Sequence, residues 1–122
     1  MSLEISVIQK SDEALGLRLD GSVDSDTAPE LEATLDDMVH PSVTYLALNM
    51  SGVSFISSAG LRVVFKMLKQ MKARDGQLMV TEMNPGVEKV FEVVKLMPDL
   101  SVFGSSEEMD AYLTSLQNQQ NS

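Results

Sequence analysis

Phe55-Ile56-Ser57-Ser58-Ala59-Gly60-Leu61-Arg62-Val63-Val64 joins two segments of different hydrophobic period and sets two adjacent hydroxyls at the join. Before it, Tyr45-Leu46-Ala47-Leu48-Asn49-Met50 is an apolar run with the length of a buried strand. After it, Leu61, Val64, Phe65, Leu68 and Met71 recur at helical spacing. A strand running into a helix is half of a strand-helix-strand unit, which points to an α/β fold. The same reading puts Ser57 and Ser58 near a helix N-terminus. There, free backbone N–H groups and the positive end of the helix dipole favour an added dianion.

The pattern continues in both directions. Leu3-Glu4-Ile5-Ser6-Val7-Ile8 and Ala14-Leu15-Gly16-Leu17-Arg18-Leu19 alternate across the polar turn Lys10-Ser11-Asp12-Glu13, as an antiparallel strand pair would. Asp26 or Ser25 is expected to cap a first helix with Pro29 in its first turn, Leu31, Leu35 and Met38 on its apolar face, and an end near His40-Pro41. A third strand near Val43 to Met50 follows. The helix from about Ser58 to Arg74 stops at Asp75-Gly76 and leads to the strand Gln77-Leu78-Met79-Val80-Thr81. Asn84-Pro85-Gly86 opens a third helix carrying Val87, Val90, Phe91 and Val94, which ends before Pro98. Ser101-Val102-Phe103 is a short strand, and Ser105 or Ser106 caps a last helix through Met109, Tyr112, Leu113 and Leu116. This alternation predicts a small layered structure on a mixed sheet, with right-handed crossovers between parallel strands.

Composition narrows the function classes. A chain of 122 residues is expected to form one domain, with a core over about residues 3 to 116 and a polar tail at 117–122. It contains no cysteine, so disulfides, a thiol nucleophile and zinc–thiolate sites are excluded. No basic and apolar block marks a signal peptide, and no apolar run approaches the ~18 residues of a membrane helix. A cytoplasmic protein is expected. With 18 acidic against 9 basic residues, the net charge of −9 repels nucleic-acid backbones, and direct nucleic-acid binding is not expected.

Taken together, these segments closely resemble the STAS domain family, the bacterial anti-sigma factor antagonists and their relatives. Phe55 to Val64 resembles the family's signature loop. Leu19-Asp20-Gly21-Ser22-Val23-Asp24 with Thr27-Ala28 resembles its early strand, turn and first helix, and Leu46 to Val53 and Gly76 to Val80 resemble its later strands. The resemblance covers roughly residues 3 to 116 and implies a single STAS-like α/β domain with a mixed sheet of about five strands and about four helices. In family antagonists the phosphorylated serine follows an Asp and precedes a Ser or Thr and a Gly. Ser58 is the matching residue, with Ser57 in place of the Asp and Ala59 in place of the second hydroxyl; Ser57 is the alternative acceptor. The resemblance further implies a partner surface of Asp24, Ser25, Thr27, Ser57, Ser58, Ala59, Gly60 and Arg62. It implies an anti-sigma factor with serine kinase activity and a PP2C-type phosphatase as partners, and no enzymatic activity, cofactor or metal in this chain. Control of a non-sigma target, or service as the STAS subunit of a membrane transporter, are the alternatives.

Plainer readings exist for each motif. Ser57 and Ser58 serve equally as helix caps, a role worth about 0.5–2 kcal/mol. A G-x-S-x-G nucleophile elbow is incomplete because position 56 is Ile, and His40, the only imidazole, belongs to a loop. Asp24 and Asp26 suit turn formation and capping, and Asn49 ends the third strand where an aspartyl-phosphate receiver needs Asp. Gly21, Gly52 and Gly60 form no phosphate-binding loop. Gly21 and Gly52 suit turns, and Gly60 suits close approach of a partner. Met71, Met79, Met97 and Met109 suit the core, whereas Met67, off the apolar stripe, suits an adaptable contact surface.

Overall fold

The computed structural model describes residues 3–94 and 100–120, with backbone alone at 116–120. The elements are β1 (Leu3–Lys10), β2 (Ala14–Val23), α1 (Ala28–Met38), β3 (Tyr45–Ile56), α2 (Ser58–Ala73), β4 (Gln77–Thr81), α3 (Pro85–Val93), β5 (Ser101–Phe103) and α4 (Ser106–Gln120). They build one mixed sheet in the order β1-β2-β3-β4-β5. β1 and β2 are antiparallel, and β2, β3, β4 and β5 run parallel. This is the expected architecture of five strands and four helices.

Both faces of the sheet are used, unequally. Alternation along β2 and β3 sends Leu15, Leu17, Leu19, Leu46, Leu48 and Met50 to one face. There they meet Leu31 and Leu35 of α1, Val64, Met67, Leu68 and Met71 of α2, and Val87 and Phe91 of α3. Burial of these side chains, about 1.5–3 kcal/mol for each fully buried large aliphatic, is the main force holding the three helices on the sheet. On the other face a smaller cluster of Ala47, Met79 and Met109 is flanked by Tyr45, Phe103 and Leu113, so α4 covers only the β3–β5 side.

Two features of α2 differ from the expected apolar stripe. Phe65 is 42% exposed, with the Lys69 ammonium 5.0 Å from its ring centroid, whereas Met67 is 2% exposed and belongs to the core. Leu61 stays in the core with Val63, Val64, Leu68 and Met71, so the inward face of the helix takes in Met67 and leaves Phe65 at its outer edge. Met71, Met79 and Met109 are buried as expected; Met97 and Pro98 lie outside the described residues, as does the side chain of Leu116.

Strand β3 runs six residues past its expected end at Met50, to Ile56, because the backbone of residues 52–56 pairs with Asp20 to Val23 of β2. Gly21 and Gly52, expected in turns, therefore lie inside strands. The register shifts between Gly21 and Ser22, and Gly21 has φ 125°, a conformation that side-chain-bearing residues rarely adopt. This bulge brings Val23 opposite Ile56 at the ends of the two strands, and so sets the β2–α1 and β3–α2 loops side by side.

Candidate functional site

The two loops carry two differently capped helix starts. In the β2–α1 loop, Asp24 Oδ1 accepts from the backbone N–H of Asp26 at 2.9 Å and of Thr27 at 3.0 Å. The Asp24 N–H donates in return to Thr27 Oγ1 at 2.9 Å, giving the reciprocal arrangement of a capping box. The Ala28 N–H donates to the Asp24 carbonyl at 2.8 Å, so a turn beginning at Asp24 leads into α1, whose N-cap residue is Thr27 with no capping bond from its own side chain. Asp24, rather than the expected Ser25 or Asp26, thus holds the helix start. The Thr27 N–H beside its carboxylate is the principal influence holding the Asp24 carboxyl below its ordinary range. Desolvation opposes this, and the Asp26 N–H and the Thr27 hydroxyl reinforce it.

In the β3–α2 loop, Ser57 has extended backbone (φ −94°, ψ 174°) and its Oγ accepts from the Gly60 N–H at 3.3 Å. Ser57 is the N-cap of α2. Ser58 is the first residue inside the helix, is exposed, and its hydroxyl makes no hydrogen bond among the described residues. The two serines therefore differ in kind: the Ser57 hydroxyl is committed to the helix terminus, and that of Ser58 is presented to solvent.

The remaining site residues divide in the same way. Ser25 and Arg62 are exposed, Asp24 and Ala59 half-buried. Of these, Ser25, Ala59 and Arg62 line a groove of about 370 Å³ between α1 and α2, together with Ala28, Pro29 and Lys66 among others. Lys66 bridges the groove to Glu32 at 3.3 Å and to Asp36 at 3.7 Å. Two of the residues expected on the partner surface are not available to a partner. Thr27 is 1% exposed, its hydroxyl donating to the Ser22 carbonyl at 2.8 Å. Gly60 is buried: a Cβ there would lie 2.5 Å from Val23 Cγ1 and 2.9 Å from Ile56 Cγ1. The space beside Gly60 is taken by the protein's own strands, so both residues act within the fold and position the loops.

Phe55, which sequence reasoning did not assign to the site, is 52% exposed two residues before Ser57. Its place near the end of a strand whose neighbour Ile56 is 3% exposed was the available signal, since alternation directs one of an adjacent pair outward. His40 is exposed and offers its carbonyl to Arg74 at 3.0 Å, at the far end of α1 from Ser57. Among the described residues no three His, Asp or Glu side chains gather as metal ligands, and no helix is long and apolar enough to cross a membrane.

The five-stranded mixed sheet with its four helices has the fold of STAS domains. The STAS domain model matches residues 6–109, and the chain belongs to that family. It is 36% identical over 100 residues to BtrV of Bordetella bronchiseptica, a protein named as a putative anti-sigma factor antagonist, covering 82% of this chain and 86% of that one. Its fold is similar to that of an anti-sigma factor antagonist from Mycobacterium paratuberculosis, with a TM-score of 0.79 and 22% identity over 95% of each chain. It is similar also to the Bacillus cell fate determinant SpoIIAA in its phosphorylated form, with a TM-score of 0.69 and 22% identity, covering 89% of this chain and 99% of that one.

Proposed function

We propose that this protein is an anti-sigma factor antagonist that works as a phosphorylation-controlled partner switch in the cytoplasm, with Ser58 as the switch residue. The carrying observation is the solvent-exposed, uncommitted hydroxyl of Ser58 at the start of α2, set apart from the Ser57 hydroxyl that caps the same helix. The relationship to BtrV supports the antagonist role. In the unmodified state, the Ser58 loop, Arg62 and the exposed part of the Asp24–Ser25 loop bind an anti-sigma factor that is also a serine kinase, and sigma is released.

The chemistry is supplied by the partner. Ser58 Oγ attacks the γ-phosphorus of the kinase's ATP, the bond from that phosphorus to the bridging oxygen breaks, ADP leaves, and the hydroxyl proton passes to a base on the kinase. The product carries roughly −1.5 to −2 charge at a surface that must close against the partner. Repulsion and the cost of burying that charge release the partner without refolding this chain. A PP2C-type phosphatase restores the hydroxyl. In this scheme the protein is a binding module and not a catalyst.

Reaction of the full chain with its cognate kinase, followed by intact-mass measurement and peptide mapping, tests the assignment. One added phosphate on Ser58 is expected, with none on the Ser58→Ala variant. Exclusive modification of Ser57 overturns the choice of residue, and a chain left unmodified overturns the switch. Calorimetry against the same partner then ranks wild type, Ser58→Ala, Ser58→Asp and phosphoprotein. Affinity is expected to fall in that order, since the Asp side chain carries less charge and fewer oxygens than phosphate. Equal affinities for all four exclude a charge switch.

A further inference from the structure

Charge is unevenly distributed along this acidic chain. Residues 38–74 contain no Asp or Glu but include Arg62, Lys66, Lys69, Lys72 and Arg74. Four of these cations are already engaged. Lys66 reaches Glu32 and Asp36 of α1, Lys69 lies over the Phe65 ring, and Arg74 donates to the carbonyls of His40 and Val43; Lys72 also has a partner. Arg62 is exposed and, among the described residues, makes neither an ion pair nor a hydrogen bond. Glu32 lines the same groove, yet its carboxylate is turned to Lys66.

Arg62 stands four residues after Ser58 on α2, so both side chains rise from the same face of the helix, one turn apart. An anion N-terminal to a cation at this spacing is the favoured orientation of such a pair. A phosphate also matches the planar fork of a guanidinium, which donates two parallel hydrogen bonds to it.

We infer that Arg62 is the internal counter-ion of phosphorylated Ser58: modification draws the guanidinium onto its own helix and withdraws from the partner a cation that the unmodified protein presents. The inference rests on Ser58 being the acceptor proposed above. Release then has two components, the charge added at Ser58 and the retreat of the Arg62 guanidinium from the partner. It also predicts that an acidic substitution mimics the phosphate incompletely, because an Asp at position 58 holds its two oxygens on a shorter stem than a phosphoserine does.

The test needs no kinase. Phosphoserine is placed at position 58 of the full chain by genetic encoding, and the second ionisation of the phosphate is followed by phosphorus-31 NMR. The compared proteins are wild type, Arg62→Gln and Lys69→Gln. The neighbouring charges Asp24, Asp26, Glu32 and Lys66 are common to all three. The phosphate pKa in wild type is expected to lie about 0.3 unit below that in Arg62→Gln. That gap is expected to close in ~1 M salt, where the screening length falls to ~3 Å, and Lys69→Gln is expected to titrate with wild type. Coincident titrations of wild type and Arg62→Gln overturn the inference. An equal displacement in Lys69→Gln also overturns it, because the effect is then the general field of α2. If the kinase leaves Ser58 unmodified while the encoded phosphoserine still responds to Arg62, the switch assignment fails and the pairing stands. The reverse pattern removes the pairing alone.

Discussion

The backbone N–H of Ser57 donates to the carbonyl oxygen of Val23 at 2.8 Å, and this bond ties the serine-bearing loop to the loop that begins at Asp24. Both loops are ends of parallel strands in register, Val23 opposite Ile56, and neither carries a long excursion that could move independently. In the proposed switch, a partner that touches Ser58 would also meet Asp24 and Ser25 across this bond.

Gly60 is what allows α2 to lie this close. In Gly60→Ala, the new methyl group would press on Val23 Cγ1, on Ile56 Cγ1 and, at 3.1 Å, on the Val23 carbonyl oxygen. A loss of about 1–3 kcal/mol in urea unfolding is expected, as for other overpacked positions, together with weaker partner binding through the displaced helix start. Unchanged stability would show that the β2–α2 packing is softer than its distances indicate.

The two adjacent serines are expected to separate cleanly in stability measurements. Ser57→Ala removes the acceptor for the Gly60 N–H and should cost about 0.5–2 kcal/mol. Ser58→Ala alters an exposed helical position and should stay within about 0.5 kcal/mol of wild type. Urea midpoints at pH 7 decide the matter, and the opposite ranking would move the cap to Ser58.

Acid is expected to act through Asp24. Its folded-state pKa is depressed, chiefly by the Thr27 N–H, so its ionised form stabilises the fold above the unfolded value of about 3.9. That contribution is lost as pH falls from about 4 through the lower folded value. Asp24→Asn keeps an acceptor oxygen but cannot titrate, so its unfolding free energy should change less between pH 5 and pH 2.5 than that of wild type. Parallel pH profiles for the two proteins would remove Asp24 from the acid response.

Asp75 has φ 56° at the end of α2, where the Gly76 N–H donates to the Met71 carbonyl at 2.7 Å and the Asp75 N–H to that of Lys72 at 3.1 Å. This is a Schellman turn whose left-handed position is occupied by a carboxylate instead of glycine, at the negative end of a helix dipole. Asp75→Gly relieves both penalties and should raise stability by about 0.5–1 kcal/mol in thermal or urea unfolding. A loss of stability would mean that the extra freedom of the unfolded chain outweighs the relief.

Much of this architecture is readable in local sequence. The start of α2 at Ser57–Ser58, its stop at Asp75-Gly76 and the opening of α3 by Asn84-Pro85 follow from capping and turn chemistry that acts within a few residues. The antiparallel β1–β2 pair follows from alternation across a short polar turn. Where local pattern fell short, the deciding atoms were distant in sequence. A helical stripe through Leu61, Val64, Leu68 and Met71 is compatible with either Phe65 or Met67 at its edge, and the positions of α1 and the sheet chose Met67. The length of β3 depended on its partner strand, since Ser51-Gly52-Val53-Ser54 is extended only because β2 lies beside it.

Residue order by itself determined the class of fold, the pair of hydroxyls at a helix start and the acidic balance of the chain, because periodicity, capping preference and charge are properties of neighbouring residues. Only the tertiary structure decided which hydroxyl is consumed as the cap and which is displayed, that Thr27 and Gly60 are buried while Arg62 is exposed without a partner among the described residues, and that the two loops form one surface. Those outcomes depend on Val23 facing Ile56 across the sheet, residues 33 positions apart that meet only when β2 and β3 pair in parallel.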